Sequence, residues 1–519
     1  MGKRVRRIPD FRWFFVVIII VALLIILATN NNNQGSINTS TLTDSLDIDN
    51  GDLKINWDNY PTTDIELNGP LKIDKSGVYH LTGTLNKESI KIDSAKAEIK
   101  LILDNVYLLN SNGPTIECLE AEDLVIELKG NNYITDNTKY SSESDEDISG
   151  AIYSKADLTF QGDGTLHLNS NYDDAIVGKD DVKFRSGNYI ITAEDDAIRG
   201  KDSVYVVDGK FDINSVAHCV KTTNDTDPGK GFILIEKGDF KLSSIKGKGF
   251  RAVKTIQLQN GNILMDTFDD AIHSDNYVDI IDGQITIISG DDAIHANNEL
   301  IIDGGKINIG KAYEGLEAQV VTINNGDIDI IANDDGINAG GGADESSMNR
   351  PGANPFKADE DCAININGGK LYINSAGDGI DSNGWLYING GMIIVDGPTN
   401  NDNGALDAGM SIIMRGGEAI AIGSSGMAES LGKTSSVFNV SIFLPSVQPE
   451  NTSIIITDKN DETIIEHISA KQFSNITFGS NQLTLGETYK LYLNDQYIEE
   501  FTISDVVTTI GETNNSFEK

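Results

Sequence analysis

Pairs of adjacent aspartates recur along the middle of the chain at nearly constant spacing. The phrase Asp-Asp-Ala-Ile occupies residues 173–176, 195–198, 269–272 and 291–294, and related phrases occupy 334–337 and 377–380. Two carboxylates per repeat supply hard oxygen ligands, which Ca²⁺ prefers. The residues that we predict to bind Ca²⁺ are Asp173, Asp174, Asp195, Asp196, Asp269, Asp270, Asp291, Asp292, Asp334 and Asp335.

The spacing of this phrase predicts the fold. Alignment on the phrase places its first residue at 149, 173, 195, 217, 250, 269, 291, 313, 334, 377 and 403. A period near 22 residues, with insertions in only some repeats, is typical of a stacked solenoid. Each repeat contains three short alternating segments and no amphipathic helix, so we predict an all-β chain: a right-handed parallel β-helix of about 11 coils.

The six positions of the phrase, numbered here from Asp291 to Ala296, form columns when the coils stack. Position 4 is aliphatic in every aligned coil, and position 6 is always small. Because side chains alternate between the two faces of a strand, positions 4 and 6 are expected inside the core. Positions 1, 3 and 5 are then expected to face outward.

Position 5 carries a run of basic and imidazole side chains in five successive coils. The same region lacks the acidic pair in two coils, where Ala217-His218 and Phe250-Arg251 replace it. Such cations can pair with the carboxylates of an acidic polymer. We expect the two histidines at position 5, His273 and His295, to be surface residues rather than transition-metal ligands. The candidate ligand-binding residues are Arg199, His218, Lys221, Arg251, Lys254, His273 and His295.

A structural interpretation of the aspartates stays open beside the metal-binding one. Aspartate at a solenoid corner often accepts hydrogen bonds from the turn backbone, which needs no ion. That explains a single aspartate per coil better than a pair. Paired carboxylates about 5 Å from those of the next coil would raise their pKa values or recruit counter-ions.

Composition and the chain ends limit the partners. The 519 residues include 79 Asp+Glu and 40 Lys+Arg, a net charge of −39 that excludes nucleic acid as a partner. A basic flank at residues 1–12 precedes an apolar run at 13–29, which we interpret as a transmembrane anchor, with a cleaved signal peptide as the alternative. The predicted location is the cell membrane, single-pass, with the β-helix on the extracellular side.

Four further segments follow the anchor. We predict a flexible stalk at residues 30–56, the parallel β-helix at 57–432, a small β module at 433–511 and a polar tail at 512–519. The module is expected because longer alternating segments separated by Gly and Asn replace the repeat there.

The phrases DDAI-x-G-K, GDDAIHA and DGGKINI resemble those of the clostridial-type carbohydrate-binding domain proteins. These are right-handed parallel β-helices similar to the family 9 polysaccharide lyases. The resemblance extends from about residue 70 to 430. It implies binding of cellulose and pectate-type polymers, with Ca²⁺ held by the aspartate pairs between Asp173 and Asp292.

The favoured function is therefore calcium-dependent binding of a cell-surface polysaccharide without cleavage. One alternative is a pectate-type lyase, in which Lys221 or Lys254 would act as the base of a β-elimination next to Ca²⁺. Both lysines belong to coils that lack the acidic pair, which favours binding. A second alternative is a structural adhesin in which Ca²⁺ only provides rigidity.

Overall fold

The chain winds into a parallel β-solenoid of about 14 turns with almost no helix, which confirms the predicted fold class. The computed structural model describes residues 46–140, 148–340 and 358–512. The helical elements within these ranges are two 3-10 helices, Gly51–Lys54 and Trp57–Asn59. Each turn contributes strands to three stacks, which we call the phrase sheet, the second sheet and the third sheet.

The phrase sheet begins at position 4 of the repeated phrase, and its strands pair in parallel from turn to turn. Its strands are Leu71–Ile73, Ile90–Asp93, Ile116–Glu120, Ile152–Ser154, Ile176–Gly178, Ile198–Gly200, Val220–Thr222, Phe250–Ala252, Ile272–Ser274, Ile294–Ile302, Leu316–Ile323, Ile337–Ala339, Ile380–Ser382 and Leu406–Ala408. The earliest turns were not counted in the sequence alignment, because Lys72, Lys91 and Glu117 occupy position 5 there and no aspartate pair precedes them.

The second and third sheets complete each turn. The second sheet consists of Thr62–Leu67, Gly77–Asn86, Glu98–Asp104, Asp123–Lys129, Asp157–Gly162, Asp181–Phe184, Ser203–Val206, Phe232–Ile235, Thr255–Leu258, Tyr277–Ile280, the ends of Ile294–Ile302 and Leu316–Ile323, Ala363–Ile366, Trp385–Ile388 and Ser411–Met414. The third sheet consists of the end of Gly77–Asn86, then Tyr107–Ser111, Asn131–Asp136, Thr165–Ser170, Asn188–Ala193, Lys210–Ser215, Asp239–Ser244, Asn262–Thr267, Gln284–Ile288, Lys306–Ala312, Asp327–Ala332, Lys370–Ser375, Met392–Asp396 and Glu418–Gly423.

The inside of the solenoid is a continuous apolar core. The position 4 side chains from Ile152 to Leu406 are buried, and so are the small residues at position 6. Position 3, which we expected to face outward, is buried as well: Ala175, Ala197 and Cys219 are 0% exposed. The outward prediction is wrong there because position 3 precedes the strand, so the alternation of strand side chains does not extend to it.

The structure corrects the register of one turn. Phe250 pairs with Val220 on one side and with Ile272 on the other, so Phe250 occupies position 4. The sequence alignment had placed Val253 there. The corrected turn has Lys248 at position 2 and Arg251 at position 5, and Lys254 does not belong to the basic column.

A C-terminal region follows the last turn and extends the third sheet. Phe473–Ser480 pairs antiparallel with Glu418–Gly423 and with Asn439–Gln448, which in turn pairs with Val507–Ile510. A separate antiparallel sheet contains Thr463–Ile468, Ser453–Asp458, Thr488–Leu493 and Gln496–Thr502 in that order. This region covers the edge of the final strand, which would otherwise expose unpaired backbone groups.

Near the N-terminus of the described chain, residues of the predicted stalk contact the solenoid. Arg185 binds Asp52 and Asn50 through its guanidinium group, and Lys183 lies 3.4 Å from Asp49. The predicted anchor at 13–29, its basic flank and stalk residues 30–45 lie outside the described residues, as does the tail from 513 on. Across residues 46–140, 148–340 and 358–512, no helix has the length and apolar character needed to span a bilayer.

Candidate functional site

The aspartates at position 2 accept hydrogen bonds from the backbone of the next turn. Oδ1 of Asp174 accepts the backbone N–H of Asp196 at 3.0 Å, and Oδ1 of Asp196 accepts that of His218 at 3.1 Å. Asp270 and Asp292 repeat this bond to the position 2 residue that follows each of them. These side chains are at most 5% exposed. One oxygen of each is thus committed to the backbone, as the structural interpretation of the aspartates requires.

His218 performs the same role in a turn without the acidic pair. Its Nδ1 accepts the backbone N–H of Lys248 at 3.0 Å, and burial lowers the pKa of its imidazole to about 4. A neutral ring is what this bond requires, because Nδ1 must keep its lone pair. His218 therefore has a backbone-holding position in the solenoid wall.

The cations at position 5 reach back to position 2 of the preceding turn. Arg199 pairs with Asp174, and Lys221 pairs with Asp196 at 3.0 Å. Arg251 instead pairs with Asp275 at 3.0 Å. The predicted basic column therefore exists as a row on consecutive turns, but its charges are matched by carboxylates of the chain itself.

Lys248 is a buried cation that the sequence alignment missed. Its Nζ lies 2.9 Å from Asp269 and 2.6 Å from Asp270, which belong to the next turn. These two ion pairs raise the pKa of Lys248 despite its burial. The only signal in the sequence was a Gly-Lys-Gly-Phe phrase at 247–250, which resembles the acidic phrase poorly. Lys254 lies instead just before the strand Thr255–Leu258 of the second sheet.

The two predicted surface histidines lie inside the wall. His273 is 3% exposed and His295 is 0% exposed, which corrects their expected surface placement. Their rings stack with centroids 4.7 Å apart and 8° between planes. Because both imidazoles are enclosed by neighbouring turns, a large ligand in solution does not reach their faces.

The carboxylates at position 1 lie at the corner between the third sheet and the phrase sheet. Asp173, Asp174 and Asp195 can each place an oxygen within 4.8 Å of the others, and so can Asp269, Asp270 and Asp291. Burial and the charges of Asp174 and Asp195 raise the pKa of Asp173 to about 7. Burial is the larger cause of this shift and the repulsion between neighbouring carboxylates the smaller one, and both disfavour the charged form of Asp173.

An exposed aromatic side chain stands directly before each of these two aspartate groups. Tyr172 is 42% exposed and stacks on Tyr140, with centroids 4.1 Å apart. Phe268 is 65% exposed. The sequence contains this signal as Tyr-Asp-Asp at 172–174 and Phe-Asp-Asp at 268–270, and the column alignment missed it because it began at the first aspartate.

The Phe268 corner forms a cleft of about 830 Å³. Ile245 and Ile288 contribute exposed apolar surface to it, and Asp269, Asp291 and Lys311 contribute charged groups. Apolar surface beside carboxylates and a cation can contact both the faces and the polar edges of a sugar ring.

The last turns contain carboxylates at both position 2 and position 5. Burial and neighbouring carboxylates raise the pKa of Asp335 to about 8 and that of Asp378 to about 7. Asp335 also accepts the backbone N–H of Asp378 at 2.6 Å. Of the predicted metal ligands here, Asp334 is half-buried at the corner and Asp335 lies in the wall.

Comparison with known proteins places the chain in a family. The profile of the carbohydrate-binding domain-containing proteins matches residues 68–315 and 266–347, which together exceed half of the chain. The chain belongs to this family. This confirms the resemblance that the repeated phrases indicated.

Two relatives of this carbohydrate-binding domain-containing chain illustrate the similarity. A carbohydrate-binding domain-containing protein of Acetivibrio thermocellus is 31% identical over 232 residues, which are 44% of this chain and 80% of that protein. A solved structure, the gadolinium derivative of a polysaccharide lyase-like protein from C. thermocellum, is 26% identical and covers 43% of this chain and 96% of that one, with a TM-score of 0.39.

The family match covers only part of the acidic corner. Residues 68–347 include both aspartate groups, Tyr172 and the Phe268 cleft, but not Asp378 or the C-terminal sheet. The matched region therefore includes the corner where aromatic and carboxylate side chains meet.

Proposed function

We propose that this protein binds a polysaccharide along the corner between the third sheet and the phrase sheet, without cleaving it. The observation that carries the proposal is the Phe268 cleft, where an aromatic ring that is 65% exposed lies beside Asp269 and Asp291. Phe268, Ile245 and Ile288 form one exposed apolar patch beside charged groups, and apolar patches with polar rims mark binding sites. Membership of the carbohydrate-binding domain family supports the same class of ligand.

The proposed polymer lies parallel to the solenoid axis. Tyr172 and Phe268 belong to the corners that begin at Asp173 and Asp269, which are four turns apart. At about 4.8 Å per turn, the two rings are roughly 19 Å apart along the axis, the length of a few sugar units. A cellulose-like or polyuronate chain of that length would contact both rings, whereas a single sugar would contact one.

Ca²⁺ is the cation that we propose for this corner. The donor set of Asp173, Asp174 and Asp195 consists only of carboxylate oxygens within 4.8 Å of one another, which fits the irregular oxygen coordination of Ca²⁺. At Asp269 and Asp270 the ammonium group of Lys248 contacts both carboxylates of the pair, whereas at the Asp173 group the guanidinium of Arg199 contacts Asp174 and leaves Asp173 and Asp195 for an ion. The group at Asp173 is therefore the better calcium site, and a bound ion would offset its charge and bridge it to polymer oxygens.

The two alternatives from the sequence have weaker support. A lyase would need a lysine free to accept a proton, but Lys221 is ion-paired with Asp196 and Lys254 lies away from the aspartate groups. An adhesin that uses Ca²⁺ only for rigidity does not explain the exposed rings of Tyr172 and Phe268. We also propose, from the apolar run at 13–29, that the protein acts at the cell surface.

Retention on polymers tests the proposal. Full-length protein is incubated with insoluble cellulose and with immobilised polygalacturonate, in Ca²⁺ or in EGTA, and the bound fraction is measured. The wild type should be retained on at least one polymer in Ca²⁺. Phe268→Ala should weaken retention about fivefold, since loss of a stacked ring costs on the order of 1 kcal/mol.

A matched control separates stacking from general surface loss. Tyr497 is 56% exposed in the separate C-terminal sheet, so Tyr497→Ala should bind as the wild type does. Equal retention of the Phe268→Ala and wild-type proteins would contradict polysaccharide binding in the Phe268 cleft. Release of unsaturated sugar products, detected by ultraviolet absorbance, would instead support a lyase.

A further inference from the structure

Two imidazoles and three carboxylates converge inside the solenoid wall, away from the polymer corner. Nδ1 of His273 lies 2.7 Å from Oδ2 of Asp270. Nδ1 of His295 lies 3.4 Å from Oδ2 of Asp292 and 2.5 Å from Oε2 of Glu317. These residues come from three consecutive turns, and we call them the imidazole cluster.

The opposite edges of both rings are already held by acceptors. Nε2 of His273 lies 3.1 Å from Oδ1 of Asp275, and Nε2 of His295 lies 2.9 Å from the amide oxygen of Asn297. An oxygen acceptor at Nε2 favours the tautomer with the proton on Nε2, which leaves a lone pair on Nδ1. In the neutral rings, each Nδ1 lone pair would then face a carboxylate oxygen, so a cation at Nδ1, either a proton or a metal ion, is needed to make the contact favourable.

Burial makes this arrangement costly. His273, His295, Asp270 and Asp292 are at most 5% exposed, and the side chain of Glu317 is 12% exposed. Water therefore does little to separate the lone pairs from the anions. Asp292 and Glu317 both form ion-pair contacts with His295.

We propose that the imidazole cluster binds one first-row transition-metal ion of the zinc type, with His295, Asp292 and Glu317 as ligands and His273 as the fourth. Ligand atoms of Asp292, His295 and Glu317 lie within 4.8 Å of one another, and so do those of Asp270, His273 and His295. His295 belongs to both groups and its ring stacks on that of His273, and for this reason we include His273 as the fourth ligand. A metal ion at this place would be coordinated by the Nδ1 lone pairs and by the carboxylate oxygens that face them.

The donor types select the metal. Imidazole nitrogen suits Zn²⁺ and its neighbours in the first transition row, whereas Ca²⁺ takes oxygen ligands. The acceptors at Nε2 orient both rings in the way that is usual for metal-bound histidines. Lys248 already neutralises Asp270 at 2.6 Å, which directs the ion toward Asp292 and Glu317 rather than toward Asp270.

The proposed ion has a structural consequence for the stack. Asp292 and His295 belong to one turn, His273 to the turn before it and Glu317 to the turn after it, as the pairing of their strands shows. An ion held by all four joins three turns in the middle of the solenoid. This site is distinct from the calcium site proposed at Asp173, which lies several turns away and contains only oxygen.

Titration with Co²⁺, a coloured substitute for Zn²⁺, tests the proposal. Full-length protein without a histidine tag is titrated with Co²⁺, and the visible d–d absorption is recorded. We expect a band that saturates at one ion per chain, disappears when Zn²⁺ is added and persists in excess Ca²⁺. His295→Gln should weaken Co²⁺ binding by about tenfold or more.

Control variants locate the ion. His167 stacks on Tyr133 on the third sheet, far along the chain from the cluster, so His167→Gln should keep the Co²⁺ band. Asp173→Asn should also keep it, although that variant removes a ligand of the proposed calcium site. The two proposals can therefore fail separately. The Co²⁺ band can be absent while calcium-dependent polymer retention persists, and retention can be absent while the Co²⁺ band persists.

Two results would overturn the proposal. One is the absence of a saturable Co²⁺ band in the wild type, and the other is an unchanged band in His295→Gln. If His295→Gln does not fold, Glu317→Gln provides the same test, because it keeps both rings and removes one anionic ligand. Crystals soaked in Zn²⁺ and measured at the zinc absorption edge should show an anomalous peak beside His295, and a peak only at the aspartate corner would contradict the assignment.

Discussion

Nζ of Lys221 lies 3.0 Å from Oδ2 of Asp196, one turn before it in the solenoid. Arg199 reaches Asp174 in the same backward direction. The basic column therefore ties neighbouring turns together, and its cations are neutralised before any ligand arrives. This geometry moves the proposed polymer site from the basic column to the corner that carries Tyr172 and Phe268.

Removing the Lys221 cation should destabilise the fold. Asp196 is 2% exposed, so Lys221→Ala leaves a buried carboxylate without its cationic partner, at a cost of about 1–3 kcal/mol. Urea unfolding measures this change in the free energy of unfolding. Lys241→Ala is the control, since Lys241 and Asp212 form an exposed pair and its loss should cost less than about 1 kcal/mol. Equal effects of the two changes would refute the proposed role of Lys221.

Calcium should stabilise the protein through the Asp173 group. The pKa of Asp173 is raised to about 7 because burial and two neighbouring carboxylates oppose its ionisation. A bound Ca²⁺ offsets that charge, so the melting temperature should rise in Ca²⁺ and fall in EGTA. Asp173→Asn should reduce the difference, whereas Asp212→Asn on the third sheet should retain it. A melting temperature that is identical in Ca²⁺ and in EGTA would contradict Ca²⁺ binding by the Asp173 group.

Stability should rise with pH between about 8 and 10.5 because of Lys471. Burial lowers the pKa of Lys471 from 10.5 to about 8, and its ammonium group donates to the carbonyl of Ser375. In that window the unfolded chain binds the proton and the folded chain does not, so the free energy of unfolding increases with pH. Below pH 8 both states are protonated, and the full cost of burying the charge remains.

Denaturant titrations at pH 7 and pH 10 check this dependence. Lys471→Met should be more stable than the wild type at pH 7, and the advantage should shrink at pH 10. Lys210→Met, at an exposed lysine of the third sheet, controls for the loss of one surface charge. A constant difference between wild type and Lys471→Met at both pH values would contradict the proposed cause.

Substitution of a position 3 glycine should disturb the stacking of turns. A Cβ at Gly336 would lie 2.3 Å from a methyl carbon of Ile373 and 2.5 Å from the carbonyl oxygen of Gly379. Gly336→Ala should therefore cost about 1–3 kcal/mol, measured as a lower midpoint in urea. Gly69 has no atom within 4 Å of the same added carbon, so Gly69→Ala is the matched control and should unfold near the wild-type midpoint.

Much of the fold follows from periodicity, but one turn shows where periodicity fails. Position 4 is aliphatic in the other aligned coils, so Val253 seemed a better match than Phe250. In the structure Phe250 fills the core and meets Phe240 edge to face, with centroids 5.8 Å apart. Phe240 belongs to the third sheet, so a repeat pattern read along the phrase does not encode this contact.

The sequence by itself determined the parallel solenoid, the buried aliphatic column and the family, because each of these depends on residue types that recur at a fixed spacing. The tertiary structure decided the partners of the charged side chains. Asp270, for example, contacts the ring of His273 within its own turn and the ammonium of Lys248 in the preceding turn, 22 residues away. Charge balance in a solenoid is set between turns, and spacing along the chain does not reveal it.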